Sequence, residues 1–154
     1  MGKDNESTMK WKVDISQLTA SMQSAKKSIS TANAEFKNAT AGLGKWSDSM
    51  TGVEAKIKQL NQTSQAQKSI LADLKSQYAI VASQMGEDSA EAEKLREKIL
   101  NQETAVKKTD AELAHYNGKL AEMEKEEAQA NSALGKLTKT IEDQEKKVKE
   151  LESE

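Results

Sequence analysis

The sequence predicts an all-α fold of long heptad-repeat helices, arranged as a coiled coil or as a helical hairpin. Three observations predict it. First, counting by sevens from Ile15 through Met22, Ile29 and onward to Val148 gives twenty positions, eighteen of them apolar. The twenty positions three residues further on, from Leu18 to Leu151, hold fifteen apolar residues. At 36% hydrophobic residues overall, chance would put about seven in each set. Second, the 154 residues contain no Pro and only 3% aromatics, but 31% charged residues. Ala, Glu, Lys, Gln and Ser then favour helices with a narrow apolar seam over a thick globular core. Third, strict 3-4 spacing held over so many turns keeps one seam on one face, the pattern of left-handed supercoiling.

Taken in chain order, residues 1–12 are expected to be disordered or extended, and "MKWKVDI" alternates enough for a short strand. Residues 13–41 form an N-terminal helix whose a and d positions include Ile15, Leu18, Met22 and Ile29. Residues 42–53 follow as a Gly-rich articulation. Gly42, Gly44 and Gly52 are read as helix breaks, because each weakens a helix by about 1 kcal/mol relative to Ala. Ser47-Asp48-Ser49 or Thr51 could cap the next helix, with Glu54 completing a capping box from Thr51.

Residues 54–85 make a second helix, with Ile57, Leu60, Leu71, Leu74, Tyr78 and Val81 on the seam. Gly86 can end it, and Asp88 with Glu91 has the spacing to start another. Residues 88–154 continue the repeat with Leu95, Ile99, Leu113, Leu120, Leu134, Leu137, Ile141, Val148 and Leu151. Gly118 and Gly135 lack capping company and read as tolerated within helix. A turn at Gly86 would fold the second helix back on the third. The heptad phase nevertheless runs unbroken through both breaks, as a nearly continuous rod would require. Polar seam residues such as Ser64, Gln67, Gln102 and Gln144 lower stability and can also set register.

The chemistry of catalysis is missing. With no Cys there are no disulfides, thiolate metal sites or thiol nucleophiles. The single His, His115, flanks Tyr116 without a second ligand nearby in sequence, and no phosphate-loop, dinucleotide or nucleophile-elbow motif occurs. The expectation is therefore a non-enzyme with no cofactor and no metal site. Nucleic-acid binding would need a basic face with stacking aromatics. Here residues 1–70 carry 10 Lys and 6 acids, while residues 71–154 carry 13 Lys/Arg and 19 acids, so no nucleic-acid partner is expected. No apolar run approaches the ~18 residues of a membrane span. The start has no signal-peptide core, and the stripe is narrow and Ala-rich, so partner helices suit this segment better than stable membrane association.

The segment "VDISQLTASMQSAKKSISTANAEFKNATAGLGKWSDSMTGVEAKIKQLN" resembles the N-terminal region of tail tape measure proteins of phages and prophages of Gram-positive bacteria. "KVDISQL", "ANAEFKNATAGLGKW" and "GVEAKIKQL" carry the match, and "LADLKSQYAIVASQMGEDSAEAEKLREKI" is similar to that family's coiled-coil repeat. The resemblance covers roughly residues 12–154. It implies a structural ruler that sets tail length inside the tail tube during assembly. It also implies self-association as a trimer or hexamer in the virion, with tail tube protein and tail assembly chaperones as partners. The chain would be found in the virion tail, and in the bacterial cytoplasm during assembly. Such proteins are much longer, so the chain is expected to be part of a longer repetitive protein. Two other readings fit the composition: a generic coiled-coil tether or adaptor, and an amphipathic membrane-active helical bundle.

"FKNATAGLGKWSDSMTG", residues 36–52, departs most from uniform helix and carries much of that resemblance. Phe36, Leu43, Trp46 and Met50 all fall on the seam there and are the candidate partner-docking residues. As seam residues they also serve simply as packing over a local gap.

Overall fold

The computed structural model describes the backbone of residues 2–154 and the side chains from Ile15 onward. It is 91% helical with no strand among the described residues, so the fold is all-α. Helix α1 spans Gly2–Thr40, α2 spans Met50–Met85 and α3 spans Ala90–Glu152, with a 3-10 turn at Trp46–Asp48. The chain divides into two compact units, residues 1–116 and residues 117–154.

The extended or strand-like start expected over residues 1–12 is not present: α1 begins at Gly2, and only Met1 lies outside the described backbone. Alternation in "MKWKVDI" is too short to outweigh Lys, Met and Glu, which lose little freedom in a helix.

The first break is shorter than the Gly content suggests. After Thr40 the chain turns through Leu43, whose N–H donates to the Thr40 carbonyl at 3.1 Å, and through Gly44 at φ 58°, a left-handed conformation suited to glycine. Ser49 then caps α2, its hydroxyl oxygen accepting from the Gly52 N–H at 3.0 Å. The Thr51–Glu54 capping box does not form, because Thr51 already lies inside α2. Gly52 is likewise no helix break. It sits in the first turn of α2, and a Cβ there would overlap the backbone carbonyl of Trp46. Its role is close approach of one backbone to another.

The second break is a tight turn. Gly86 adopts φ 96°, ψ 151°, a conformation essentially restricted to glycine, and its N–H donates to the Ala82 carbonyl at 3.0 Å. The cap of α3 is Ser89 rather than Asp88. Its Oγ accepts from the Ala92 N–H at 3.2 Å and donates to the Gly86 carbonyl at 2.8 Å. One hydroxyl thus closes the turn and starts the helix. Glu91 and Glu93 follow in the first turn, where carboxylates favour the helix N-terminus.

In unit 1 the three helices run alternately up and down. Gln77 of α2 donates to the Met22 sulfur at 3.4 Å, and Gln59 donates to Asn33 Oδ1 at 2.8 Å, so α1 and α2 are antiparallel. On the other side of α2, Lys68 lies 3.3 Å from Asp110 of α3, and Lys75 lies 3.6 Å from Glu103. Residue numbers fall on α3 as they rise on α2, which is the helical hairpin. One core cluster, including Ala25, Ile70, Leu74, Val81, Ala92 and Leu95, spans all three helices. Ile15, Met22, Ile29, Tyr78 and Ile99 pack against it.

The seam residues of unit 1 that are buried include Val53, Leu60, Leu74, Val81 and Leu95, with Val53 fully so. Leu18, Ile57, Leu71 and Leu113 are half-buried. Ala39, Met85 and Asp88, which flank the two breaks, are exposed. Burial also extends beyond the seam. Ala66, Ile70 and Gln77 are buried off the a and d positions, because a helix flanked on two sides needs a wider stripe than one paired on a single side.

Unit 2, residues 117–154, is helical through Glu152. Its seam is open to solvent: Leu134, Leu137, Ile141, Val148 and Leu151 are all about half exposed or more. Leu120 and Met123 are half-buried.

Candidate functional site

Two of the four candidate docking residues meet directly. Phe36, in the last turns of α1, and Trp46, opening the 3-10 turn, pack edge to face with ring centroids 5.2 Å apart. Such pairs favour this T-shaped geometry because the positive ring edge meets the negative ring face. Trp46 also contacts Tyr116 of α3 at 5.5 Å, and Tyr116 in turn holds the ring of His115 at 5.0 Å. Leu43 and Met50 are half-buried in the same stretch.

A cation completes the cluster. Lys56 Nζ lies 5.0 Å from the Phe36 ring centroid and 5.8 Å from that of Trp46, within cation–π range of both. Its Nζ also donates to Gln59 Oε1 at 2.8 Å, and Gln59 reaches Asn33 on α1. Neither Lys56 nor Tyr116 stands out in the sequence as part of the articulation. The available signal is position: Lys56 precedes the a residue Ile57 and so flanks the seam, and Tyr116 is itself a d residue.

The geometry explains how Trp46 is held. The Gly52 backbone presses on the Trp46 carbonyl, and the Ser49 hydroxyl and N–H both donate to that carbonyl, at 3.3 and 3.2 Å. The indole is therefore fixed from its own main chain outward. The aromatic faces are taken up by one another and by Lys56, so the cluster works as a clasp joining α1, the turn, α2 and α3. It presents no nucleophile with an adjacent base. Among the described residues no group of His, Asp or Glu could hold a metal ion, and no helix is long and apolar enough to cross a membrane.

A second feature is a groove of about 690 Å³ between α1 and α2, lined by small side chains such as Ser24, Ala25, Ser28, Ala32, Ala66 and Ser69. Small residues recurring three and four apart on α1 let the two backbones approach, and Cα separations within 8 Å recur along this pair. That spacing is visible in the sequence as "SAKKSISTA" but does not register in a count of large apolar residues.

The charged pairs that join two helices of unit 1 lie at the hairpin. Lys68 and Lys75 of α2 reach Asp110 and Glu103 of α3 at 3.3 and 3.6 Å. The Ser64 hydroxyl donates to Asp110, and with Lys68 nearby this holds the Asp110 carboxyl below the usual carboxylate range. Arg96 donates to the Tyr78 hydroxyl at 2.9 Å and to the Glu87 carbonyl at 3.3 Å, bridging the two sides of the turn. The Tyr78 bond, followed by attraction to the Tyr78, Glu93 and Glu87 side chains, raises the Arg96 pKa further. Comparison with protein-family models, with curated proteins and with solved structures gives no match to this chain.

Proposed function

We propose that the chain is the N-terminal part of a structural ruler and scaffold of a phage tail, setting tail length while the tube assembles around it. The observation that carries the reading is the heptad phase. It holds one register across twenty heptads and through both turns, in a chain whose described residues are almost wholly helical. A helix rises about 1.5 Å per residue, so such a chain, with its turns opened into a rod inside the tube, converts residue number into length. The likeness of residues 36–52 and their neighbours to tape measure proteins gives the reading its specific form.

On this reading the chain is not an enzyme and needs no cofactor. Its partners are copies of itself, the tail tube protein and tail assembly chaperones. Its places are the virion tail and, during assembly, the bacterial cytoplasm. The Phe36–Trp46–Tyr116 clasp is then the first surface to test for docking at the start of assembly, since it joins every element of unit 1.

The test is a deletion series in the full-length protein. Removing whole heptads should shorten tails by about 10 Å per heptad, read by electron microscopy. Tails of unchanged length would end the proposal.

A further inference from the structure

The seam buried within unit 1 continues into residues 117–154, and from Leu134 onward it is open to solvent. Leu134, Leu137 and Ile141 are 59%, 56% and 48% exposed. We propose that residues 117–154 pair with the same residues of a second copy of this chain, as a parallel, in-register, two-stranded coiled coil.

Charge selects the orientation. In the hairpin of unit 1 the helices are antiparallel, and residues four places after each a position, the e positions, face one another. The cations Lys68 and Lys75 of α2 there meet the acids Asp110 and Glu103 of α3. Residues 117–154 cannot repeat this between copies. From Leu120 onward the e positions are Glu124, Asn131, Thr138, Glu145 and Glu152, with no cation among them. Antiparallel pairing would give no e residue a cation in any register, and its g positions would offer Lys119 and Lys147 only Glu126 as an acid.

Parallel pairing instead sets each g residue, just before an a position, against the following e residue of the other copy. Lys119 then meets Glu124, and Lys147 meets Glu152. The intervening pairs each contain a neutral residue, Asn131, Ala133 or Thr140, and no like charges are opposed. Among the described residues none of these four charged side chains takes part in an ion pair within the chain.

Side-chain shape selects the number of strands. Leu120 and Leu134 at a do not discriminate, but toward the C-terminal end Ile141 and Val148 are β-branched residues at a, with Leu137 and Leu151 at d. That combination favours two strands over three or four. Glu127 at an a position would face its own copy across the seam. This is the weak layer of the pair and a point of gain by substitution. The inference rests on the exposed seam and its flanking charges, not on the tail reading, so the tail-length experiment leaves it standing or falling on its own.

The test is sedimentation equilibrium of the 154-residue chain across a wide concentration range. A monomer–dimer equilibrium is expected, with Ile141→Asp abolishing the dimer and Glu127→Leu strengthening it. Circular dichroism checks that Ile141→Asp keeps the helicity and melting of unit 1. Lys147→Glu should weaken the dimer and Lys147→Glu with Glu152→Lys restore it.

Because the chain has no Cys, single cysteines report orientation. Gln144→Cys and Ala130→Cys should each form a disulfide-linked dimer on oxidation. An antiparallel pair brings at most one of these positions against itself, so cross-linking at only one overturns the proposal. A chain that stays monomeric throughout, or that sediments as a trimer, overturns it as well.

Discussion

Ser64, buried at an a position of α2, donates its hydroxyl to Asp110 Oδ1 of α3 at 2.6 Å. Lys68 stands 3.3 Å from the second oxygen of the same carboxylate. A polar residue that weakens the seam as a packing element thus becomes a fixed point of hairpin alignment. Because these contacts favour the ionised carboxylate, Asp110 titrates below its ordinary value in the fold and near that value, about 3.9, in the unfolded chain. Between the two, the unfolded chain holds more protons, so stability falls as pH falls through that window. Thermal melts from pH 6 downward should show this acid loss below about pH 4, with a smaller acid-dependent part in Asp110→Asn. Equal acid slopes in the two proteins would remove Asp110 from the account.

Gly86 is the hinge of the fold-back. Its φ of 96° and ψ of 151° belong to a region that a side chain makes costly, on the order of 1–3 kcal/mol. Gly86→Ala should therefore favour helix straight through residues 86–89, since the heptad phase already matches on both sides. Helicity by circular dichroism should rise or hold while the radius of gyration grows. An unchanged radius of gyration would show that the turn is held by the core alone.

Gly52→Ala drives a methyl into the Trp46 carbonyl, a backbone atom with little room to give. Destabilisation of about 1–3 kcal/mol is expected. In a Trp11→Phe background, the emission of Trp46 should also move toward that of a solvated indole as its contact with Phe36 loosens. A destabilised protein with unchanged emission would separate the glycine contact from the aromatic clasp.

Leu74 and Leu137 occupy equivalent heptad positions, yet Leu74 is 3% exposed and Leu137 is 56% exposed. Leu74→Ala should cost about 2–5 kcal/mol of unfolding free energy. Leu137→Ala, measured by denaturant at concentrations where the chain is monomeric, should stay within about 0.5 kcal/mol of the parent. Comparable losses from both would mean that the C-terminal seam is covered within the monomer.

Much of this architecture is legible in the sequence, because apolar period and Gly placement act locally. The all-α class follows from spacing that only a helix can use, and Gly86 marks the turn. What the sequence hides is what depends on a neighbour. Ala66, Ile70 and Gln77 are buried only because α1 lies on a second side of α2, and a single-seam count has no place for them. Gly52 reads as a break because glycine lowers helix propensity, yet its use is an approach to Trp46. Ser89 rather than Asp88 caps α3 because the turn from Gly86 brings the Ser89 hydroxyl to both the Gly86 carbonyl and the Ala92 N–H. In the clasp, Phe36 and Trp46 are visible beforehand. Lys56 and Tyr116 join them only through the antiparallel fold.

The unbroken phase across residues 86–89 also bears on which genetic changes this chain can absorb. An insertion or deletion of one or two residues in α2 or α3 rotates every downstream seam residue by about 100° per residue. The hairpin partner and any partner copy would then meet the polar face. Gain or loss of a whole heptad leaves each surviving seam residue on its face and displaces one helix along the other by about 10 Å. Duplication and slippage during replication should therefore leave viable descendants chiefly at multiples of seven codons, making length in this chain a heritable trait that varies in steps.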